Sequence, residues 1–352
     1  MSDKLLSKVQ GCLLGVMIGD AMGMPWETMT PEQILEATGG KGVIGFHDPV
    51  QRKIPDTMCK KAGDATDDWQ LTAVVAESLI RCKGFNLVDI AHAHIEAREQ
   101  DEFGWGGTTR RSIDEVKKYF DSRGKSGRAP WISPPKRKKG GCGNGVAMKS
   151  APLALWNAVI SNNNVHDVGK NFELLKNQII ELGLMTHFDQ RASTAAFAVV
   201  RFIGCAIFGG ANKGEVSAWT TCPWIEDFEN DLKRMGYDAD YELTVSGQIK
   251  YIFNFLDDPI ALREKIGTGC FSLESVPFAI ATFLRHPTDF RAGILEAVNA
   301  GGDMDTTASM VGAMIGANCG LDAIPDEWKN FRPEFQEPLE LGERLYKAAL
   351  GL

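Results

Sequence analysis

The sequence predicts an all-α protein, built as one compact bundle of many helices. Three observations carry that reading. Apolar residues recur at helical spacing in short segments punctuated by Gly, Pro and Asn. The alternating apolar–polar runs of a half-buried strand are scarce, and residues 42–47 form the only tempting one. Four glycines, Gly11, Gly15, Gly19 and Gly23, fall at i+4 spacing on one face of the first helix.

Glycine costs a helix about 1 kcal/mol against alanine. A stripe of four therefore implies that something passes close to the backbone. A packed neighbouring helix meets that need, and so does a ligand near the C-terminal end. Pro25 stops this helix, and Glu27 lies just beyond it. Residues 71–80, 87–97 and 108–120 then read as helices. Residues 146–160, 165–184, 192–208, 273–284, 290–300 and 306–318 follow, and 339–350 close the chain just after Pro338. Residues 209–241 break the pattern. They are rich in Gly, Trp, Asp and Glu, with poor periodicity, and read as a surface excursion or lid. The basic run Lys136-Arg137-Lys138-Lys139 lies between Pro134-Pro135 and Gly140-Gly141. It reads as a solvated loop, though it could meet phosphate or an acidic partner. No Pro/Ser linker divides the chain, so residues 1–352 are expected to form a single domain.

Of 352 residues, 44% are hydrophobic and 24% charged, which is ordinary for a soluble globular protein. The formal charge of -8 argues against general nucleic-acid binding. The cysteines are scattered with no CxxC pair, which suits a reduced, cytoplasmic protein and neither a disulfide scaffold nor a zinc site. No secretory signal is visible, and Lys8 and Asp20 interrupt the first apolar stretch. The stretch 192–210 carries Arg201 at its centre and reads as a core helix. No membrane partner is expected.

Two acidic clusters, roughly 240 residues apart, carry the chemistry: Thr66-Asp67-Asp68 and Asp303-Met304-Asp305-Thr306. Each opens an apolar helical run. In isolation each is a helix N-terminus, where Asp and Thr cap free N–H groups and complement the dipole. Asp67 with Gln70 even resembles a capping box. The helix after the second cluster is lined with Ala308, Gly312, Ala313, Gly316 and Ala317, so it can pack closely and bury its acidic end. Burial changes the reading. Carboxylates at two buried helix ends repel one another and lose hydration, so they need cations or protons. Asp303 and Asp305 point to different sides of a regular helix, but an irregular start lets them converge. Carboxylate and hydroxyl oxygens, with Thr66 and Thr306 contributing, select magnesium or manganese over zinc. A cation pair can hold a sugar diol and lower the pKa of a water. Beside such a pair, Glu27 becomes a candidate general base.

Gly140-Gly141-Cys142-Gly143-Asn144-Gly145 lets backbone amides approach an anion. A helix expected from Val146 would add its positive end. Taken alone, such a loop is more often a plain turn. His187 alone is more often a core histidine. His92 and His94, two apart on a helix, do not share a face and read as structural or exposed.

Five pieces now stand in a recognisable order: Gly19-Asp20-Ala21-Met22-Gly23 with Glu27; Thr66-Asp67-Asp68; Gly143-Asn144-Gly145 with Met148; Thr186-His187; and Gly302-Asp303-Met304-Asp305-Thr306. In this order the chain resembles the ADP-ribosylglycohydrolases over residues 5–328. That group includes dinitrogenase reductase-activating glycohydrolase and the ADP-ribosylarginine hydrolases. The resemblance implies an all-α orthogonal multi-helix bundle and a centre of two divalent cations, Mg2+ or Mn2+. It implies hydrolysis at the distal ribose of ADP-ribose, with ADP-ribose as product and an ADP-ribosylated protein as partner. It assigns Thr66, Asp67, Asp68, Asp303, Asp305 and Thr306 as metal ligands. Glu27 matches the glutamate near the metals, and Glu27 or Asp303 would take the proton from water. Gly143, Asn144, Gly145 and Val146 match the loop around ribose and pyrophosphate, and His187 the histidine facing the phosphates. Arginine-linked ADP-ribose is the first linkage implied. Serine-linked or O-acyl-linked ADP-ribose comes next, and a non-catalytic ADP-ribose binder is the rival of another class. A magnesium-dependent phosphohydrolase is a third reading. Three departures bear on substrate choice: Trp69 after the first acid pair, Lys149 after Met148 where arginine is common, and no acidic residue in Gly104-Trp105-Gly106-Gly107-Thr108-Thr109.

Overall fold

The computed structural model describes residues 2–50, 60–123, 141–161, 168–209, 223–236 and 242–352. Its helices are α1 (Ser2–Gly23), α2 (Pro31–Ala37), α3 (Asp67–Cys82), α4 (Leu87–Gln100), α5 (Gly107–Arg123), α6 (Ala151–Ser161), α7 (Val168–Thr186) and α8 (Gln190–Gly209). They continue as α9 (Pro223–Arg234), α10 (Val245–Ile252), α11 (Pro259–Ile266), α12 (Ser272–Arg285), α13 (Phe290–Val298), α14 (Met304–Cys319), α15 (Asp326–Lys329) and α16 (Glu337–Ala349). Among the described residues the only strand-like pairing is one antiparallel bridge, Gly143 with Phe271. The all-α expectation holds.

The centre of the bundle is the pair α1 and α14, which make the most extensive helix contact among the described residues. A side-chain carbon on Gly15 would sit 2.2 Å from the Gly312 carbonyl oxygen, and one on Gly312 would sit 2.1 Å from that of Gly15. Gly19 meets the carbonyl of Ala308 in the same way, and Gly11 that of Gly316. The glycine stripe is thus explained by a packed helix. Its last member does something more. Gly23 lies against the backbone of Met304 and Asp305, so α1 ends on the start of α14. The glycine cost is offset by burial of Leu13, Leu14, Ile18, Met22, Met314 and Ile315, each contributing about 1.5–3 kcal/mol. From Met304 to Asn318, α14 is buried on every side, as expected of a helix that is apolar all round. α3, α8, α12, α13 and α16 pack around this pair. Most of the apolar window of α8 is buried against other helices, so the core-helix reading of residues 192–210 holds.

Three expectations are corrected, and the one strand-like run in the sequence is not a strand. Residues 42–47 form no strand. One side chain replaces the neighbouring strand: Val43 N–H donates to Asn299 Oδ1 (2.7 Å), and Asn299 Nδ2 donates back to the Val43 carbonyl (3.0 Å). The helix expected from Val146 begins only at Ala151. Pro152 has no N–H to return to Met148, and the Met148 carbonyl accepts Thr72 Oγ1 instead (3.2 Å). Residues 144–149 are therefore a turn, and no helix N-terminus stands at Gly145. The excursion at 209–241 is helical in part. In α9, Ile225, Phe228 and Leu232 are buried at helical spacing, and Phe228 stacks on Phe197 of α8 with ring centroids 4.3 Å apart. The rest of that stretch, like Lys136 to Lys139, lies outside the described residues. The capping box of Asp67 with Gln70 is absent. Gln70 Nε2 donates to the carbonyls of Ala97 (3.1 Å) and Asp101 (2.9 Å), joining α3 to the end of α4. Four short helices, α2, α10, α11 and α15, had no counterpart in the periodicity. Three have local caps: Thr30 with Gln33, Thr244, and Asp258.

Candidate metal centre

Two helix starts meet at the end of α1. Thr66 is the N-cap residue of α3 and Asp303 that of α14, yet neither side chain caps its own helix. The cap of α3 comes from α1. Asp20 Oδ2 accepts the N–H groups of Thr66 (2.9 Å) and Trp69 (2.8 Å), and Asp20 Oδ1 accepts the Thr66 hydroxyl (2.8 Å). This relieves Asp67 and Asp68 of capping. Sequence reasoning gave Asp20 no role. The available signal was a lone carboxylate inside an apolar, glycine-striped helix, because a buried charge needs partners.

At the start of α14 the chain is pinned from three sides. Gly301 and Gly302 take left-handed backbone angles, φ 78° and 89°. Thr28 N–H donates to the Gly302 carbonyl (2.8 Å), and Gly302 N–H donates to that of Met29 (3.0 Å). The segment after Glu27 is thereby stitched to the run-in of α14. Asp303 N–H donates to the Thr268 carbonyl (2.7 Å). Asn144 Nδ2 donates to Asp303 Oδ2 (2.6 Å) and to Ser275 Oγ (3.1 Å). Asp305 Oδ1 accepts the N–H of Thr306 (2.9 Å).

The result is a convergence. Glu27, Asp303 and Asp305 each offer an oxygen, and these oxygens lie within 4.8 Å of one another. Asp67 and Asp68 do not join that trio, but Thr306 Oγ1 donates to Asp68 Oδ2 (3.1 Å) and ties the two starts together. Asp68 Oδ1 is buried with no hydrogen-bond partner. Gly104 backs the other acid: a side-chain carbon there would sit 2.5 Å from Asp67 Oδ1.

Electrostatics follow from this crowding. Burial, reinforced by Asp303 and Asp20, pushes Glu27 up to about 7. Burial raises Asp20 to about 6, against the lowering effect of its bonds from Thr66 and Trp69. Asp67, Asp68 and Asp305 are held well above the usual carboxylate range, first by burial and then by neighbouring acids. These groups resist ionisation unless positive charge joins them. Hard oxygens, one of them buried and unpartnered, and three acids converging from the segment after α1 and the start of α14 fit a magnesium- or manganese-type ion.

The glycine loop borders this cluster. The Gly143–Phe271 bridge fixes it to the start of α12, and Ser272 Oγ donates to the Gly143 carbonyl (2.7 Å). His187 is buried beneath it. Its Nε2 lies 3.4 Å and its Cε1 3.0 Å from where side-chain carbons on Gly143 and Gly145 would sit. A side chain at Gly145 would therefore press on the histidine from inside the protein, whereas at Gly143 the contact would be an ordinary one. Val146 is fully buried. Burial, with Lys149 adding to it, pulls His187 down to about 3, so its ring is neutral at physiological pH. A separate cavity of about 920 Å3 shares Thr66 and Trp69, but follows the α3 face that also carries Gln70, Ala73 and Glu77.

A helical bundle whose acids converge at the crossing of α1, α3 and α14 is also what comparison with known proteins returns. The family model described as ADP-ribosylglycohydrolase matches residues 1–351. The chain is 26% identical to the ADP-ribosylhydrolase ARH3 of Mus musculus, over 97% of this chain and 92% of that protein. The Homo sapiens protein of that name is also 26% identical, with 97% and 93% covered. The ADP-ribosyl-[dinitrogen reductase] glycohydrolase of Rhodospirillum rubrum is 23% identical, over 90% of this chain and 87% of that one. A solved ADP-ribosylglycohydrolase-related protein complex shares the fold, with a TM-score of 0.66, 23% identity and 99% coverage of both chains. With its family model spanning almost every residue, the chain belongs to the ADP-ribosylglycohydrolase family.

Proposed function

We propose that this protein is a divalent-cation-dependent ADP-ribosyl hydrolase, removing mono-ADP-ribose from a modified protein side chain. The observation that carries the reading is the convergence of Glu27, Asp303 and Asp305 oxygens within 4.8 Å, beside the Asp68–Thr306 bond. Asp303, Asp305, Thr306, Thr66, Asp67 and Asp68 would hold two cations, Mg2+ or Mn2+. Bound there, the ions would supply Lewis acidity and a hold on vicinal ribose hydroxyls.

The remaining work falls to the chain. Glu27 stands at the edge of the trio, partly open to solvent and with its pKa near neutrality. That suits a group taking a proton from the water that attacks the anomeric carbon. The carboxylates of Asp303 and Asp305 would stabilise the positive charge that develops on the ribose ring. Asn144 holds Asp303 in place. The glycine loop, Gly143 to Val146, with His187 beneath it, would seat the ribose and pyrophosphate.

Arginine is the linkage we propose first. The Rhodospirillum rubrum relative acts on an ADP-ribosylated protein, dinitrogen reductase, by its name. The test is a panel of arginine-, serine- and acetyl-linked ADP-ribose conjugates, with chelator and then with Mg2+ or Mn2+. Release of free ADP-ribose that stops with chelator and returns with metal is expected, fastest for the arginine conjugate. Full turnover by metal-free protein would reject the cation centre. Binding of ADP-ribose with no turnover of any conjugate would mark a binder.

A further inference from the structure

The loop between α4 and α5, residues 101–106, runs past the start of α3. Within it Gly104 takes a left-handed backbone angle, φ 84°. A side-chain carbon there would sit 2.5 Å from Asp67 Oδ1, 3.0 Å from Thr66 Cβ and 3.3 Å from the Asp67 nitrogen. Glycine permits both the angle and the approach. One side chain holds the loop on both sides of Gly104. Gln70 Nε2 donates to the Asp101 carbonyl (2.9 Å) and to the Ala97 carbonyl in the last turn of α4 (3.1 Å). Gln70 Oε1 accepts the indole N–H of Trp105 (2.6 Å). These partners fix the orientation of the amide, because an indole nitrogen only donates and a carbonyl only accepts. Trp105 itself is buried. The far side of the loop has less behind it. Asp101 and Phe103 line the cavity of about 920 Å3. A tie on that side is the pair of Lys60 with Asp101 (3.0 Å), whose partners are part-exposed, and such pairs hold little.

We propose that Gln70 is a positioning residue for the acidic centre: its amide clamps the α4–α5 loop across Gly104, and Gly104 in turn backs Asp67. This rests on the reading of Asp67 as a cation ligand. A ligating carboxylate has to be held within roughly 0.5 Å of its working position by its surroundings. At Asp303 a hydrogen bond from Asn144 does this. At Asp67 the wall is the backbone of Gly104, so the wall must itself be anchored. Methionine at position 70 would keep the length of glutamine but release the loop on both sides of Gly104. The loop then has room to move toward the cavity, and Asp67 Oδ1 loses its backing.

The test compares Gln70→Met with Gly15→Ala in the full chain, each well below its melting temperature. Both substitutions are expected to lower the melt, Gly15→Ala through the contact of α1 with α14. Mn2+ affinity by calorimetry is the readout that a merely stabilising role would not move. Gln70→Met is expected to bind Mn2+ about tenfold more weakly, in the range that neighbours of ligands exert. Gly15→Ala is expected to bind it as the unsubstituted chain does. Trp105→Phe keeps a buried ring and loses only the N–H to Gln70, so it should weaken binding in the same direction by less. It takes the place of Gln70→Met if that variant does not fold. Unchanged Mn2+ affinity in the folded variant overturns the proposal and leaves the cation centre standing. An equal loss in Gly15→Ala also overturns it, because that marks a general loosening. If the unsubstituted chain binds no Mn2+, the cation centre itself fails, and the role of Gln70 fails with it.

Discussion

The starts of α3 and α14 read alike in sequence, each a Thr and two Asp ahead of an apolar helix, but the fold treats them differently. At α3, Asp20 of α1 takes over the capping, with three bonds of 2.8–2.9 Å. The capping of α3 thus does not fall to the Thr66 side chain, and Asp68 Oδ1 is buried with no hydrogen-bond partner. At α14 the N-cap residue, Asp303, makes no side-chain cap to its own helix. The acids of that start are aimed by backbone pinning through Gly301, Gly302 and Thr268, and by Asn144. One start is organised by a borrowed carboxylate, the other by strain-tolerant glycines. The difference teaches that similar acidic clusters reach one centre by different routes, so they should fail differently.

The largest expected effect tests whether both starts supply ligands. Asp303→Asn and Asp67→Asn should each cut ADP-ribose release by at least ~100-fold, the upper end of what even neighbours of ligands cost. Both should keep a cooperative melt, with metal-free stability unchanged or raised, because each relieves carboxylate repulsion. A lost cap behaves in the opposite sense. It lowers stability by about 0.5–2 kcal/mol and leaves turnover largely intact. If Asp303→Asn follows that pattern, the α14 start is only a helix terminus.

Next in size is Asp20→Asn against Asn144→Ala. Both should weaken Mn2+ binding about 10–100-fold. Only Asp20→Asn should also cost about 1–3 kcal/mol, because it disturbs the N–H groups that Asp20 satisfies. Calorimetry and denaturant melts on the same preparations separate the two. Equal stability loss would mean that the borrowed cap is not what organises α3.

Gly15→Ala and Gly23→Ala come third. Each forces a carbon into backbone of α14 at 2.2 Å and 2.4 Å, at an overpacking cost of about 1–3 kcal/mol. Gly15→Ala should lower the melt with little change in turnover per folded molecule. Gly23→Ala should do both, because its neighbour is Asp305.

The smallest effect is a pH slope. Glu27 at about 7 and Asp20 at about 6 are raised by folding. A raised group contributes stability that is fully present below its unfolded pKa and is lost as pH rises through the folded one. Metal-free protein should therefore melt progressively lower from about pH 4 to pH 7. Saturating Mn2+ should flatten that slope, and Glu27→Gln should make it shallower between about pH 5 and 7, with Asp67, Asp68 and Asp305 leaving a residual slope. A metal-free melt that rises through the upper window in the unsubstituted chain would mean that Glu27 is not crowded by acids.

Much of this was legible in advance, for identifiable reasons. Period and composition marked out the long buried helices because α1, α8 and α14 must carry apolar faces. The acids of both clusters were legible as a site because adjacent carboxylates before a small-residue helix cannot be buried without counter-charge. What failed was local. Residues 42–47 lost strand character to Asn299, a partner 256 positions away. The helix expected from Val146 was displaced to Ala151 by Pro152 and the bond from Thr72. α9 escaped notice because its three apolar residues lie inside a stretch of mixed composition.

The sequence by itself determined the fold class, the glycine-lined contact and the acidic positions, because these depend on residue size, charge and period along one segment. Tertiary structure alone decided which helix the glycines would meet, that Asp20 would cap α3, and that Glu27 would stand with Asp303 and Asp305. It also decided that Lys149 would be buried with no hydrogen-bond partner for its Nζ. Each of the first three joins groups tens to hundreds of residues apart. A carboxylate's partner, and hence its charge state, is set by distance through the folded core and not by distance along the chain.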